Sequence, residues 1–221
     1  MSNKSIQLTD KIYDYLIDHS VREHAVLQKL REDNRHDQLI SVMQIAPEQG
    51  QFMAFLIKLL GVNRILEIGT STGYSTLAMA LSLPEKGVID TCDINKIATG
   101  KAKQYWKQAG VDSKVNLHLA PALDTLALLL KDKLAASYDM AFLDADKINY
   151  DAYYEACLNL IKTNGLIIID NVLWGGSVAD KSINDADTNA IRALNTKLYS
   201  DERVEVSMIP VADGLTLVRK I

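Results

Sequence analysis

Residues 64–75 read Arg-Ile-Leu-Glu-Ile-Gly-Thr-Ser-Thr-Gly-Tyr-Ser. A short apolar run carrying one carboxylate, Glu67, enters a turn with glycines at 69 and 73 and then opens a helix. A strand–turn–helix unit of this kind aims unpaired helix N–H groups at whatever the turn holds. Dinucleotide-binding chains close the turn with a tighter glycine pattern against a pyrophosphate. The wider Gly69-to-Gly73 spacing, with Glu67 just ahead of it, suits a ligand with a cationic amino group and no phosphate.

That unit begins an alternation. Strands are expected at Arg64–Ile68, Val88–Cys92, Val115–Leu119, Tyr138–Leu143 and Gly165–Asp170, with helices at Tyr74–Leu83, Lys96–Ala109, Ala122–Leu134 and Tyr150–Lys162. Apolar strands spaced by helices predict a parallel sheet covered on both faces, an α/β doubly wound architecture. Val204–Ile209 and Leu215–Lys220 flank Pro210-Val211-Ala212-Asp213-Gly214, a hairpin signal that closes the sheet with a reversed strand. The first 61 residues read as extra helices. One is capped by Thr9 or Asp10 and carries Ile12, Tyr15, Leu16 and Ile17; a second covers about Val21 to Glu32; a third runs from Pro47 to Leu60 and stops at Gly61. No linker or repeat divides the chain, so the expectation is one domain over 1–221, a helical segment (1–61) and a Rossmann-like core (62–221).

A net charge of −4 argues against nucleic-acid binding. The segment MSNKSIQLTDK lacks the apolar stretch of a leader, no run reaches membrane-spanning length, and Cys92 and Cys157 read as buried thiols. The expectation is a cytoplasmic protein that binds neither nucleic acid nor membrane.

Ligands of such sheets sit beyond the carboxyl ends of the strands. Those ends offer Glu67, Gly69 and Ser75, then Asp93, twenty residues after Gly73, then Ala120-Pro121-Ala122, Asp144-Ala145-Asp146-Lys147 and Asp170-Asn171. S-adenosylmethionine answers the cationic-ligand requirement, with Asp93 placed to accept bonds from ribose hydroxyls. Taken singly, the glycines can be an empty turn, Asp93 a cap for the helix near Lys96, and Asp144, Asp146 and Asn171 solvated loop residues. Together, Asp144, Asp170 and Asn171 form a set of hard oxygen ligands for an octahedral divalent ion with open positions. The four histidines, 19, 24, 36 and 118, are scattered and read as surface or helix-face residues.

With those residues in view, the chain resembles the cation-dependent caffeoyl-CoA / catechol-type O-methyltransferase family, from about Leu8 to Ile221. The resemblance is carried by LEIGTSTGYS (66–75), LDADKINY (143–150), GLIIIDNVLWGGSV (165–178) and IPVADGLTL (209–217). It implies a seven-stranded, mostly parallel sheet and methyl transfer from S-adenosylmethionine to a phenolic or catecholic hydroxyl of a small molecule. Met43, Glu67, Gly69, Thr70, Ser75, Asp93, Ala122, Asp144 and Asp146 would contact the donor. Asp144, Asp170 and Asn171 would hold the cation, magnesium, with manganese or calcium as alternatives. Lys147 and Asp144 would act in catalysis, Trp174 and Ile45 would face the acceptor, and the protein would be a homodimer. Two positions depart from the family: Ala120 replaces a common glycine before Pro-Ala, and Ile45 stands where plant members often carry a hydroxyl residue. The segment Leu173–Asn189 reads as a mobile loop over the substrate. A nicotinamide-dependent oxidoreductase shares the glycine turn and Asp93 but needs a Tyr-x-x-x-Lys segment, which Tyr154 to Leu158 does not supply. A non-catalytic binding protein is disfavoured by the intact trio Asp144, Asp170 and Asn171.

Overall fold

The computed structural model describes residues 5–132 and 134–221. Helices α1 (Asp10–Ser20), α2 (Ala25–Asn34), α3 (Gln38–Met43) and α4 (Pro47–Leu60) precede the first strand. The alternation follows: β1 (Arg64–Ile68), α5 (Tyr74–Ser82), β2 (Val88–Asp93), α6 (Lys96–Gln108), β3 (Val115–Leu119), α7 (Ala122–Lys131), β4 (Tyr138–Leu143), α8 (Tyr150–Leu160), β5 (Ile161–Ile169), α9 (Ala186–Ser200), β6 (Val204–Ile209) and β7 (Leu215–Lys220).

The strands form one seven-stranded sheet ordered β3-β2-β1-β4-β5-β7-β6. β1 to β5 pair in parallel, and β7 runs antiparallel to both β5 and β6. This is the doubly wound sheet with a reversed C-terminal strand that the hairpin signal predicted. Period-two alternation sends successive side chains to opposite faces. Ile65, Phe142 and Ile168 face a core shared with α4 and α5, while Leu66, Leu143 and Ile169 face one shared with α8 and α9. Full burial of each such side chain is worth roughly 1.5–3 kcal/mol, so the continuous apolar strands are stable only when covered on both sides. Strand order reverses between β1 and β4, and the crevice outside their carboxyl ends is the expected ligand position.

Several boundaries differ from expectation. The second helix starts at Ala25, not Val21, because His24 takes the cap position and its ring accepts from Val26 N. Thr9 is the cap residue of α1, but its side chain makes no capping bond. The cap of α6 is Asn95, whose side chain accepts from Ile97 N and Ala98 N, so Asp93 is released from that role. α7 ends at Lys131; residue 133 of its expected span lies outside the described residues. The strand expected at Gly165–Asp170 starts at Ile161 and ends at Ile169. The six-residue α3 was not expected, nor was α9, which begins inside the segment read as a loop to Asn189. Asp185 caps α9, accepting from Thr188 N at 2.9 Å. Ahead of it, the Arg192 guanidinium donates to the carbonyls of Ser177, Val178, Asp180 and Ile183, tying the loop to the helix. Both cysteines are buried and free. Among the described residues no helix is long and apolar enough to cross a membrane.

Candidate active site

The glycine turn is shaped by contact with the next strand. Gly69 has φ 99°, and a Cβ there would stand 1.8 Å from the Asp144 carbonyl oxygen, so no side chain fits between β1 and β4. Gly73 has φ 78°, and its Cβ would meet Ala102 at 2.6 Å. Between them, the N–H groups of Thr70 and Ser71 donate to Asp93 Oδ2 at 3.0 and 2.7 Å. Asp93 therefore fixes the turn while its other oxygen receives Asn95 N at 2.7 Å.

Glu67 is fully buried behind this turn and accepts from the hydroxyls of Ser75, Thr76 and Thr91. Burial pushes its carboxyl up to about 7; three neutral hydroxyls do not offset the lost hydration.

The strand-end acids follow beside the turn, Asp144 after β4 and Asp170 after β5. Asp170 is 3% exposed and accepts from Gln49 Nε2 at 2.8 Å and from Asn171 N at 2.7 Å. Burial, reinforced by the negative charge of Asp144, pushes Asp170 up to about 7. Burial also raises Asp144, against the pull of Lys147. The buried Lys147 ammonium donates to Asn171 Oδ1 and Tyr150 Oη at 2.6 Å each and to Asp144 Oδ1 at 3.3 Å. Its Nζ also lies 5.6 Å from the centre of the Trp174 ring. Asn171 and Trp174 hold left-handed backbone conformations, φ 56° and 48°, so strain is concentrated where the chain leaves β5. Asp146 Oδ1 accepts from Tyr153 Oη at 2.6 Å.

One cavity of about 1100 Å³ joins these parts. Its wall includes Met43, Ile45, Gly69, Thr70, Ser75, Asp93, Ala122, Asp144, Asp146, Lys147, Asp170, Asn171 and Trp174. Glu67, of the residues expected at the site, does not reach the cavity surface; it supports Ser75 from behind. The volume exceeds the range of a typical single-ligand pocket, roughly 300–1000 Å³, and leaves room for two small molecules side by side. Gln44, Gln49 and Tyr153 also line it and carried no motif signal, while Tyr74 and Asp213 lie within quoted motifs but were given no role there. Gln49 reaches the site from an N-terminal helix, a contact between segments that no local pattern encodes.

The hard donors at this edge are two carboxylates and an amide oxygen; among the described residues no group of three acidic, histidine or cysteine side chains could hold a metal ion. Lys147 already places positive charge on two of the three oxygens, which is the charge such a set demands. The set fits an octahedral divalent ion that keeps half of its coordination open to water or ligand.

The fold and the crevice at its switch point define a class, the Rossmann-like methyltransferases. The family model for O-methyltransferase matches residues 17–221, and the chain belongs to that family. It is 41% identical to the Dictyostelium discoideum protein named probable caffeoyl-CoA O-methyltransferase 1, covering 98% of this chain and 94% of that one. It is 39% identical to mouse catechol O-methyltransferase domain-containing protein 1, over 95% of this chain and 80% of that protein. Among solved structures, the O-methyltransferase TomG of Streptomyces achromogenes, in complex with SAM, superposes with a TM-score of 0.87 at 30% identity, covering 95% and 96% of the two chains.

Proposed function

We propose that this chain is an S-adenosylmethionine-dependent O-methyltransferase that uses a divalent cation to methylate a phenolic or catecholic hydroxyl of a small molecule. One observation carries the reading: the glycine turn and the oxygen trio of Asp144, Asp170 and Asn171 line a single cavity. The SAM complex of the TomG structure supports the donor assignment.

The donor would lie along the turn, against Met43, Gly69, Thr70, Ser75, Asp93, Ala122, Asp144 and Asp146, with Glu67 holding Ser75 and the start of α5 in place. Asp144, Asp170 and Asn171 would hold the cation, magnesium first, with manganese or calcium as alternatives. When bound, it supplies positive charge that favours the ionised form of the acceptor hydroxyl, whose reference pKa is near 10. Lys147 meets the same oxygen, either donating a hydrogen bond to the phenolate or, once neutral, taking its proton. Asp144, committed to the cation, is not free to act as base. Trp174 and Ile45 flank the acceptor and exclude water.

The oxygen lone pair forms the new C–O bond as the C–S bond breaks and its pair returns to sulfur. Two opposite charges disappear, so a dry, preorganised wall favours the transfer. Alignment of the reacting atoms supplies much of the acceleration, on the order of 7–11 kcal/mol for well-oriented groups.

We take residues 1–221 as one domain acting in the cytoplasm as a homodimer. The homodimer is supported by exposed Phe55, Leu59 and Leu60 on α4 and Tyr15 on α1; sedimentation velocity tests it, and a monomer at micromolar concentration refutes it.

A catechol panel read by mass spectrometry, with and without chelator, tests the activity. Chelation should silence methyl transfer and magnesium should restore it; activity in excess chelator contradicts the cation. Asp93→Ala removes the acceptor of two turn N–H groups, each such charged hydrogen bond being worth about 1.5–3 kcal/mol. It should weaken donor-product binding at least about tenfold in calorimetry while magnesium binding is unchanged.

A further inference from the structure

The last residue of α2, Asn34, is 1% exposed and makes three side-chain hydrogen bonds to three separate parts of the molecule. Lys101 Nζ of α6 donates to its Oδ1 at 2.8 Å. Its Nδ2 donates to Gln44 Oε1 at 2.7 Å and to Thr72 Oγ1 at 2.8 Å. The orientation of the amide is not arbitrary. An ammonium has no acceptor, so the carbonyl oxygen must face Lys101 and both N–H bonds must face Gln44 and Thr72.

Thr72 belongs to the glycine turn, and Gln44 to the segment that follows α3; both line the cavity. On either side of Gln44, Met43 and Ile45 also form cavity wall, and Met43 is largely solvent-exposed, so few packing contacts of its own hold it there. The neighbouring Asp33 strengthens the anchor: its carboxylate accepts from Tyr105 Oη of α6.

We infer that Asn34 is a positioning residue for the methyl donor, its amide holding the glycine turn and the 42–46 segment in the one mutual arrangement that closes on the donor. This rests on the donor reading given above and adds to it a residue that touches no ligand. A tether of this kind acts on binding: without it, the segment must be ordered when the donor enters, and the ordering cost appears in affinity.

The experiment measures S-adenosylhomocysteine affinity by calorimetry, together with donor KM and kcat, for wild type, Asn34→Leu and Asn34→Asp. Asn34→Leu keeps the shape and removes every bond; Kd and donor KM should rise about tenfold while kcat at saturating donor stays within about threefold. Asn34→Asp should restore affinity to within about threefold of wild type, because the carboxylate accepts from Lys101, the Thr72 hydroxyl donates to it, and the Gln44 amide can turn its NH2 inward. If Asn34→Leu does not fold, Gln44→Ala, at a half-buried position, makes the same test of the covering link and should also raise Kd.

Unchanged affinity in Asn34→Leu, or in Gln44→Ala where that variant stands in, overturns the tether. So does an Asn34→Asp protein as weak as Asn34→Leu, or a fall in kcat matching the rise in KM, which marks a purely structural role. Wild-type protein that binds no S-adenosylhomocysteine removes the donor reading itself, and the tether with it.

Discussion

Asp90, within β2, and Asp170, just past the end of β5, are each 3% exposed, and they titrate in opposite directions. Burial raises both. At Asp90 it is outweighed by His118 Nε2, Tyr138 Oη, Asn116 Nδ2 and Arg64 Nη2, all donating to the carboxylate, and the group falls to about 2. At Asp170 the donors are one amide side chain and one backbone N–H, while Asp144 adds a like charge, and the group rises to about 7. Glu67 shows where the balance turns, since three neutral hydroxyls leave a fully buried acid at about 7. The Asp90 cluster includes an arginine, and the Asp170 cluster lacks a full counter-charge. A buried acid with its cation built in is part of the scaffold; a buried acid that still requires one is a place for chemistry.

The comparison breaks most visibly in the variants. Asp170→Ala should lower cation-dependent turnover by about a thousandfold, the scale of losing an electrostatic contact made in the transition state. Donor-product affinity should hold within about threefold, and the melting temperature of metal-free protein should not fall, since a repulsion is removed. Turnover equal to wild type would take Asp170 out of the reaction. Asp90→Ala should do the reverse, leaving turnover per folded molecule intact. Removing one member of a buried charge cluster costs about 3–5 kcal/mol. Arg64, with a side chain 33% exposed, can regain water, so about 2–3 kcal/mol is expected here, a fall in melting temperature of roughly 5–10 °C. Loss of activity without loss of stability in Asp90→Ala would erase the distinction.

The strands were legible from their apolar runs, and β1, β3, β4, β6 and β7 lie where the runs lie; β1 and β4, buried almost throughout, have little freedom in composition, while the exposed edge strands β3 and β6 are legible from alternation. The helices were less so. α3 is shorter than two turns and offers no periodicity to read. α9 carries Ile191, Leu194 and Leu198 on one buried face and an aspartate cap, but its Thr and Asn residues and the glycine-rich approach to it masked that pattern. The strand-end acids were legible for a geometric reason, since parallel strands deliver their C-terminal neighbours to one edge. Gln49 and Asn34 were not, because Gln49 reaches the site, and Asn34 the residues that line it, from helices packed by long-range contacts. Asp90 was invisible for the same reason: the third residue of the run Val-Ile-Asp-Thr-Cys-Asp gives no hint of the Arg64, Tyr138 and His118 side chains that other strands bring to it.

The smallest effect tests the Asp90 side of the comparison by pH. Its folded pKa, about 2, lies below the ordinary value of 3.8, so folding favours the ionised form. The stabilisation is complete above pH 3.8 and is lost as pH falls toward 2. A shift of this size is worth about 2 kcal/mol. Urea unfolding of wild type and Asp90→Asn at pH 5, 4 and 3 isolates the group, because every other carboxylate titrates in both proteins. The difference in unfolding free energy should be largest at pH 5 and shrink steadily as the pH falls. A constant difference would mean that the carboxylate is no better held in the folded chain than in the unfolded one, and that its four donors act through shape alone.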